Sequence, residues 1–168
     1  MRKYGVIGLG QVGATVAYTL VQQGTVDELV LIDKNEALAK AQKLDLDDAS
    51  PRLSSTTKII LNDYSALADA EVLIVASGNI GAIDMNSSKG RFGEYDLNQA
   101  IVREIAPKIV ASGFKGILID IMNPCDVMTD YLQRMTGFPR QRVFGTGTFL
   151  DTALSLIHIW RCRRRREC

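Results

Sequence analysis

Outside its last fifteen residues the chain has no histidine, no tryptophan and a single cysteine, Cys125. A lone cysteine excludes a disulfide framework and a cysteine metal cluster in this part of the chain, and no metal site is expected. The apolar runs are far shorter than the roughly 20 residues of a membrane span. The start, MRKYGVIGLG, has too short an apolar stretch for a signal peptide, so a cytoplasmic protein is expected.

Charge is unevenly distributed along the chain. Of its 20 basic and 19 acidic side chains, the segment 154–168 alone holds five arginines and one glutamate. The remaining residues therefore hold 15 basic and 18 acidic side chains, a net charge of −3. Such a mildly acidic body has no dispersed basic face, so neither nucleic acid nor a membrane is expected as a partner.

Short apolar runs alternate with segments of helical spacing over residues 1–153. Strands are predicted at KYGVIGLG, DELVLID, TKIILN, AEVLIVAS, KGILIDIMN and RVFGTGT. Helices are predicted at 11–24, 35–49, about 91–112 and 124–135, and a further helix begins at FLDTA. Continuous apolar strands that alternate with helices predict an α/β fold with a doubly wound, six-stranded parallel sheet.

The segment GLGQVG, residues 8–13, is a G-x-G-x-x-G motif between the first strand and the first helix. Asp33 ends the second strand twenty residues after the last glycine, which is the separation expected for a dinucleotide site. The glycines permit a tight turn, close approach of a pyrophosphate and close helix packing. Asp33 favours NAD over NADP, a preference that Lys34 weakens. The predicted cofactor-binding residues are Gly8, Gly10, Gln11, Val12, Gly13 and Asp33.

Four further stretches, KGRFGEYDLN, IMNPCDV, TGFPRQRVFGTGT and LDTA, carry a family resemblance. With the glycine motif they make the chain from Lys3 to Ala153 resemble the L-lactate dehydrogenase family of NAD-dependent L-2-hydroxyacid dehydrogenases. SGNI and the long loop before Arg91 resemble the L-2-hydroxyisocaproate dehydrogenase branch. The resemblance implies a Rossmann NAD-binding domain at 1–153 without its substrate domain. It also implies a homo-oligomeric parent acting on a small 2-oxo or 2-hydroxy acid.

The resemblance assigns catalytic roles to three residues. Arg91 matches the arginine that polarises the substrate carbonyl, Asn123 the asparagine beside the substrate oxygen and nicotinamide, and Asp151 the aspartate that holds the catalytic histidine. Taken alone, these could equally be a surface arginine, a turn residue and a helix-start aspartate. Cys125 is expected to pack in the first turn of its helix, with a reactive thiol as the alternative.

Two residues that the family needs for catalysis are absent. The carboxylate-binding arginine is replaced by Leu154, and His158 lies too close to Asp151 to serve as the catalytic histidine. We therefore expect NAD binding without turnover. Dicarboxylates such as malate are disfavoured for the parent, because the loop 80–90 offers only Lys89 as a second cation.

The last fifteen residues, LSLIHIWRCRRRREC, differ in character from the rest. Residues 154–164 can be encoded without a gap by a DNA string resembling the constant part of a transposase-type sequencing adapter, if TGA is read as Trp. We interpret 154–168 as adapter read-through rather than native sequence, and exclude it from fold reasoning. A basic nucleic-acid or membrane-surface tail, or a nuclear-import patch, would explain the arginines but not LSLIHIW.

Two other function classes remain open from the sequence. A non-catalytic NAD-binding module would be favoured by a native stop codon near Ala153. An enzyme of different chemistry on the same fold, such as an NAD-dependent glycosidase, would be favoured by a metal-binding cysteine or histidine further along the gene.

Overall fold

The computed structural model describes residues 1–53, 56–78 and 94–164. In these ranges the strands are β1 (Lys3–Ile7), β2 (Glu28–Ile32), β3 (Lys58–Leu61), β4 (Val72–Val75), β5 (Ile117–Asp120) and β6 (Val143–Gly145). The α-helices are α1 (Gln11–Gln22), α2 (Glu36–Ala49), α3 (Tyr95–Ala111), α4 (Cys125–Thr136) and α5 (Gly147–Arg164). No helix in the described ranges is long and apolar enough to cross a membrane.

The six strands form one parallel sheet in the order β3-β2-β1-β4-β5-β6. In its centre Gly5 of β1 lies opposite Val30 of β2 and Leu73 of β4. This order confirms the predicted doubly wound α/β fold. The chain leaves β1 towards one edge and returns to start β4 on the other side, which opens a crevice at the carboxyl ends of these strands.

Helices cover both faces of the sheet, which explains why most residues of the central strands are apolar. Leu29 and Leu31 pack with α1 and α2 on one face, whereas Val30 and Ile32 pack with α3 and α4 on the other. All five residues of β2 are buried. Side chains alternate between the faces of a strand, so a strand covered on both faces is apolar at nearly every position. The exception in β2 is Glu28, which forms ion pairs with Lys3 and Lys58.

Some strands and helices begin or end at other residues than predicted. The run RVFGTGT was predicted as strand, but β6 ends at Gly145 and α5 already begins at Gly147. The Thr146 amide donates a 3.2 Å hydrogen bond to the Asp120 carbonyl, just past the end of β6. Helix α3 begins at Tyr95, and the predicted start near Arg91 lies outside the described residues.

Helix α5 continues across the predicted boundary at 153/154. The side chains of residues 151–157 are all exposed, and none of them belongs to either core cluster. Leu154, Leu156 and Ile157 are each about half exposed. The side chains described in this segment, at 154–157 and 159, are therefore not buried in the domain. Whether it is native sequence stays a prediction.

Candidate functional site

The glycine-rich turn between β1 and α1 takes a backbone shape that requires glycine at Gly8. Its φ of +91° lies in the region that L side chains rarely adopt. A Cβ atom here would lie 2.7 Å from the backbone of Ser77, which follows β4. The Gly8 amide donates to the Ile32 carbonyl, 2.8 Å, so the turn is fastened to the end of β2.

The other two motif glycines have opposite surroundings. A Cβ at Gly13 would lie 1.8 Å from the Gly8 carbonyl oxygen, so α1 packs against the turn only without a side chain there. A Cβ at Gly10 would meet nothing within 4 Å. Gly10 precedes α1, whose first turn includes the exposed residues Gln11 and Val12. The free amides of a helix start thus border open space, as a pyrophosphate site requires.

Asp33, at the end of β2, is the acidic group beside this turn. Its Oδ2 accepts from the Leu9 amide, 2.7 Å, and its Oδ1 accepts from the Asn35 amide, 2.8 Å. Its own amide donates to Oδ1 of Asn62, 2.9 Å. Each carboxylate oxygen retains a further lone pair, so Asp33 is held in place and can still accept bonds from ribose hydroxyls.

A cavity of about 450 Å³ lies along the carboxyl ends of the strands. Gly8, Gly10 and Asp33 line one side, and Tyr64 and Lys108 line another. Lys108 Nζ lies 5.7 Å from the centre of the Tyr64 ring. The cavity thus combines a helix start, a carboxylate and mixed polar and apolar walls, a composition typical of a nucleotide cofactor site.

Asn123 follows β5 and is exposed, and two residues at the start of α3 hold it. Its backbone carbonyl accepts from Nδ2 of Asn98, 2.6 Å, and its side chain hydrogen-bonds to Glu94. Glu94 and Asn98 are 1% and 0% exposed. The structure therefore places Asn123 at the strand edge that the sequence predicted, with support from α3 that the sequence did not reveal.

The other two predicted catalytic residues are not brought to this edge by described contacts. Asp151 is exposed in α5, and the structure gives it no hydrogen-bond partner in the part of the chain described. Arg91 lies outside the described residues.

A second buried polar cluster lies between β5 and α4. Asp120 is fully buried and accepts from the Met122 amide, 3.0 Å, and is bonded to Oγ1 of Thr129, 2.9 Å. Burial raises the pKa of Asp120 to about 6. Burial and the neighbouring Asp120 also raise the pKa of the Cys125 thiol, which opposes a reactive thiolate and agrees with the packing role expected for Cys125.

The motif analysis missed four polar residues near the site: Asn62, Ser77, Glu94 and Asn98. Asn62 and Ser77 follow β3 and β4, and residues at the carboxyl ends of parallel strands are ligand candidates by position alone. Glu94 and Asn98 are spaced i, i+4, so they share a helix face. The sequence spacing of these residues did not predict that this face contacts Asn123.

The comparisons with known proteins agree with this geometry. The family model for the lactate/malate dehydrogenase NAD binding domain matches residues 2–145. The L-lactate dehydrogenase of Lactobacillus delbrueckii subsp. bulgaricus is 40% identical over 152 residues, which cover 90% of this chain and 48% of that protein. The chain spans about half the length of the curated relatives it matches.

Solved structures that are similar to this chain are also lactate dehydrogenases. The minor L-lactate dehydrogenase from Enterococcus mundtii, in a ligand-bound form, matches with a TM-score of 0.80 and 34% identity, covering 93% of this chain and 51% of that one. Cryptosporidium parvum lactate dehydrogenase with lactic acid and NAD matches with a TM-score of 0.78 and 29% identity, covering 86% and 44%. The open space at Gly10 and the fixed Asp33 fit NAD. The chain belongs to the lactate/malate dehydrogenase family and carries its NAD-binding domain.

Proposed function

We propose that the protein from which this chain comes is an NAD-dependent L-2-hydroxyacid dehydrogenase. Its substrates would be small 2-oxo and 2-hydroxy monocarboxylic acids of the lactate or branched-chain type, and the whole protein would be a homo-oligomer. The observation that carries the proposal is the cavity where the open Gly10 and the anchored Asp33 meet. The family match and the lactate- and NAD-bound relative support it.

The residues that would hold NAD act through charge and shape. The amides at the start of α1, next to Gly10, would bind the pyrophosphate, with the positive end of the helix dipole favouring its negative charge. Asp33 accepts from the adenosine ribose hydroxyls and repels a 2′-phosphate, which favours NAD over NADP. The chemistry supplied by bound NAD is hydride transfer at its nicotinamide ring.

On the substrate side, Asn123 would contact the substrate oxygen from the end of β5. Arg91 would face the same oxygen, because a permanently charged guanidinium stabilises the negative charge that develops there during reduction. Asp151 would hold the histidine that moves the proton, by accepting from one imidazole nitrogen and so fixing the tautomer of the ring.

The 168-residue chain itself would bind NAD without turning over substrate. Residues 1–153 contain no histidine to move a proton, and Leu154 stands where the family has the arginine that binds the substrate carboxylate. We also propose that the native part of this chain is residues 1–153 and that 154–168 is adapter read-through.

The test is a titration of the purified chain with NADH, followed by the fluorescence of the cofactor. We expect saturable binding at one site, weaker binding of NADPH, and no loss of NADH absorbance when pyruvate or 2-oxoisocaproate is added. Absence of NADH binding by the folded chain would refute the cofactor site. Oxidation of NADH with either acid would refute the claim that the chain is inactive.

Resequencing the source gene across the Ala153 codon, with a different library method, tests the parent enzyme. We expect an arginine codon to follow, and a histidine codon a couple of dozen codons later. If the same fifteen residues reappear before a stop codon, the dehydrogenase proposal fails for this chain. A non-catalytic NAD-binding module with a basic tail would take its place.

A further inference from the structure

Glu94 and Asn98 stand out because each has a buried side-chain oxygen without a hydrogen-bond partner. The two atoms are Oε1 of Glu94 and Oδ1 of Asn98, and both residues are at least 99% buried. A buried acceptor without a donor costs about 1–3 kcal/mol, so such atoms need an explanation. These are the two atoms of this kind in the described part of the chain.

The two oxygens belong to residues about one turn apart at the start of α3. Glu94 precedes the helix and Asn98 lies one turn further on, so their side chains share a helix face. The amide of Asn98 is oriented by its other end, because Nδ2 donates to the Asn123 carbonyl, 2.6 Å. Oδ1 is therefore the end of Asn98 that lacks a donor.

A single proton on Glu94 would supply the donor that both oxygens lack. An ionised glutamate only accepts hydrogen bonds, as does the amide Oδ1, so in the charged form neither residue can satisfy the other. A neutral carboxylic acid carries an O–H that donates to Oδ1 of Asn98, and its second oxygen still accepts from the Asn123 side chain. Burial acts in the same direction, since it raises the pKa of Glu94.

We propose that Glu94 is a neutral carboxylic acid whose proton lies between its own Oε1 and Oδ1 of Asn98. In this form Glu94 is a positioning residue for Asn123. One N–H of the Asn123 amide is engaged by Glu94, so its second N–H and its Oδ1 remain for a ligand. Asn98 fixes the backbone of the same residue through the Asn123 carbonyl.

The arrangement borders the NAD cavity. Gly78, which lines that cavity, lies beside Asn98, because a Cβ on Gly78 would be 3.8 Å from Asn98 Oδ1. An Asn123 amide held in this orientation offers its second N–H to a ligand oxygen, such as the substrate carbonyl, and its Oδ1 to a donating group, such as the amide of nicotinamide. This consequence rests on the proposed function, whereas the protonation state of Glu94 does not.

The deciding measurement is ¹³C NMR of the 168-residue chain labelled at the glutamate carboxyl carbons. At pH 6, above the ordinary glutamate pKa of 4.5, we expect one protonated carboxyl signal. Glu94→Gln should remove this signal, and the control Glu104→Gln should remove an ionised one, because Lys108 lowers the pKa of the exposed Glu104 carboxyl. An ionised Glu94 at pH 6 overturns the proposal. The protonation state is measured on the unsubstituted chain, and the variants serve only to assign the carboxyl signals.

The positioning role is tested by two variants. Glutamine copies the neutral acid, with one donor and one acceptor, so Glu94→Gln should keep slow hydrogen exchange of the Asn123 side-chain amide, whereas Glu94→Ala should speed it at least about tenfold. Equal exchange in both variants overturns the positioning role. If Glu94→Ala fails to fold, rapid exchange in the glutamine variant serves as the contrary result. If the unsubstituted chain does not bind NADH, the proposed function is refuted, but the proposed protonation of Glu94 is not.

Discussion

The Leu9 amide donates a 2.7 Å hydrogen bond to Oδ2 of Asp33, which joins the glycine-rich turn to the end of β2. Because Oδ1 accepts from the Asn35 amide, Asp33 holds two loops at once. An asparagine in its place has one acceptor oxygen and leaves one of these amides unpaired. Asp33 thus links the geometry of the phosphate turn to recognition of the ribose.

Replacing Asp33 tests this link. Asp33→Asn should weaken NADH binding about 10-fold to 100-fold, because hydrogen bonds to a charged acceptor contribute about 1.5–3 kcal/mol. The preference for NADH over NADPH should fall as well, since the charge that repels the 2′-phosphate is gone. Fluorescence titration with both cofactors measures this. Asp27→Asn, just before the other end of β2, is the control, and an equal loss in that variant would contradict the assignment.

Gly10 and Gly13 form a matched pair for separating binding from folding. Gly10→Ala should change the free energy of unfolding by less than about 1 kcal/mol, because its Cβ meets open space, yet lower NADH affinity at least about tenfold. Gly13→Ala should destabilise the fold by several kcal/mol, because its Cβ overlaps the Gly8 carbonyl. Urea unfolding and NADH titration measure the two effects. Full NADH affinity in Gly10→Ala would show that no phosphate approaches this backbone.

Asp120 should make stability depend on pH. Its pKa is about 6 in the folded protein against an ordinary value of 3.8, so the unfolded chain releases this proton first. Stability from this group is therefore complete below about pH 4 and is lost as the pH rises to about 6, by up to about 3 kcal/mol. Asp120→Asn should remove most of this slope and stabilise the chain at pH 8.

The asparagine fits the same bonds, with its oxygen accepting from Met122 and its amide donating to Thr129. Thr129 can then donate to the Cys125 carbonyl, 2.8 Å away. A small residual slope should remain, since the raised pKa of Glu94 acts in the same direction. Urea unfolding between pH 4 and pH 8 is the measurement, and Asp45→Asn on the exposed side of α2 is the control. An unchanged slope in Asp120→Asn would contradict burial as the cause.

Removing the end of the chain tests whether the segment 154–168 belongs to the domain. Truncation after Ala153 should leave the free energy of unfolding within about 0.5 kcal/mol, because the removed side chains that the structure describes, at 154–157 and 159, are exposed. Truncation after Gly137 is the contrasting variant. It removes β6, which pairs with β5 from Leu118 to Asp120, and should abolish cooperative unfolding. A clear loss of stability after truncation at Ala153 would show that the segment is part of the fold.

Much of the fold was predictable from local patterns. The apolar run before Gly8, the helical spacing after it and Asp33 at the next strand end each depend on neighbours in sequence, so they are readable without a structure. Boundaries were less certain, as at Gly147, where a glycine- and threonine-rich run typical of a strand begins α5 instead. The end of β6 depends on where its partner β5 ends, which the run itself does not encode.

The sequence by itself determined the parallel six-stranded sheet, the glycine turn and the acidic residue beside it, because periodicity and motif spacing are local properties. Tertiary structure alone decided that Glu94 and Asn98 meet Asn123, 25 or more residues away, and that Asp120 is buried. The hydration of a carboxyl group at the end of a strand depends on which helices pack over that end. That desolvation sets the protonation of Glu94 and Asp120, and no pattern of residue types along the chain reports it.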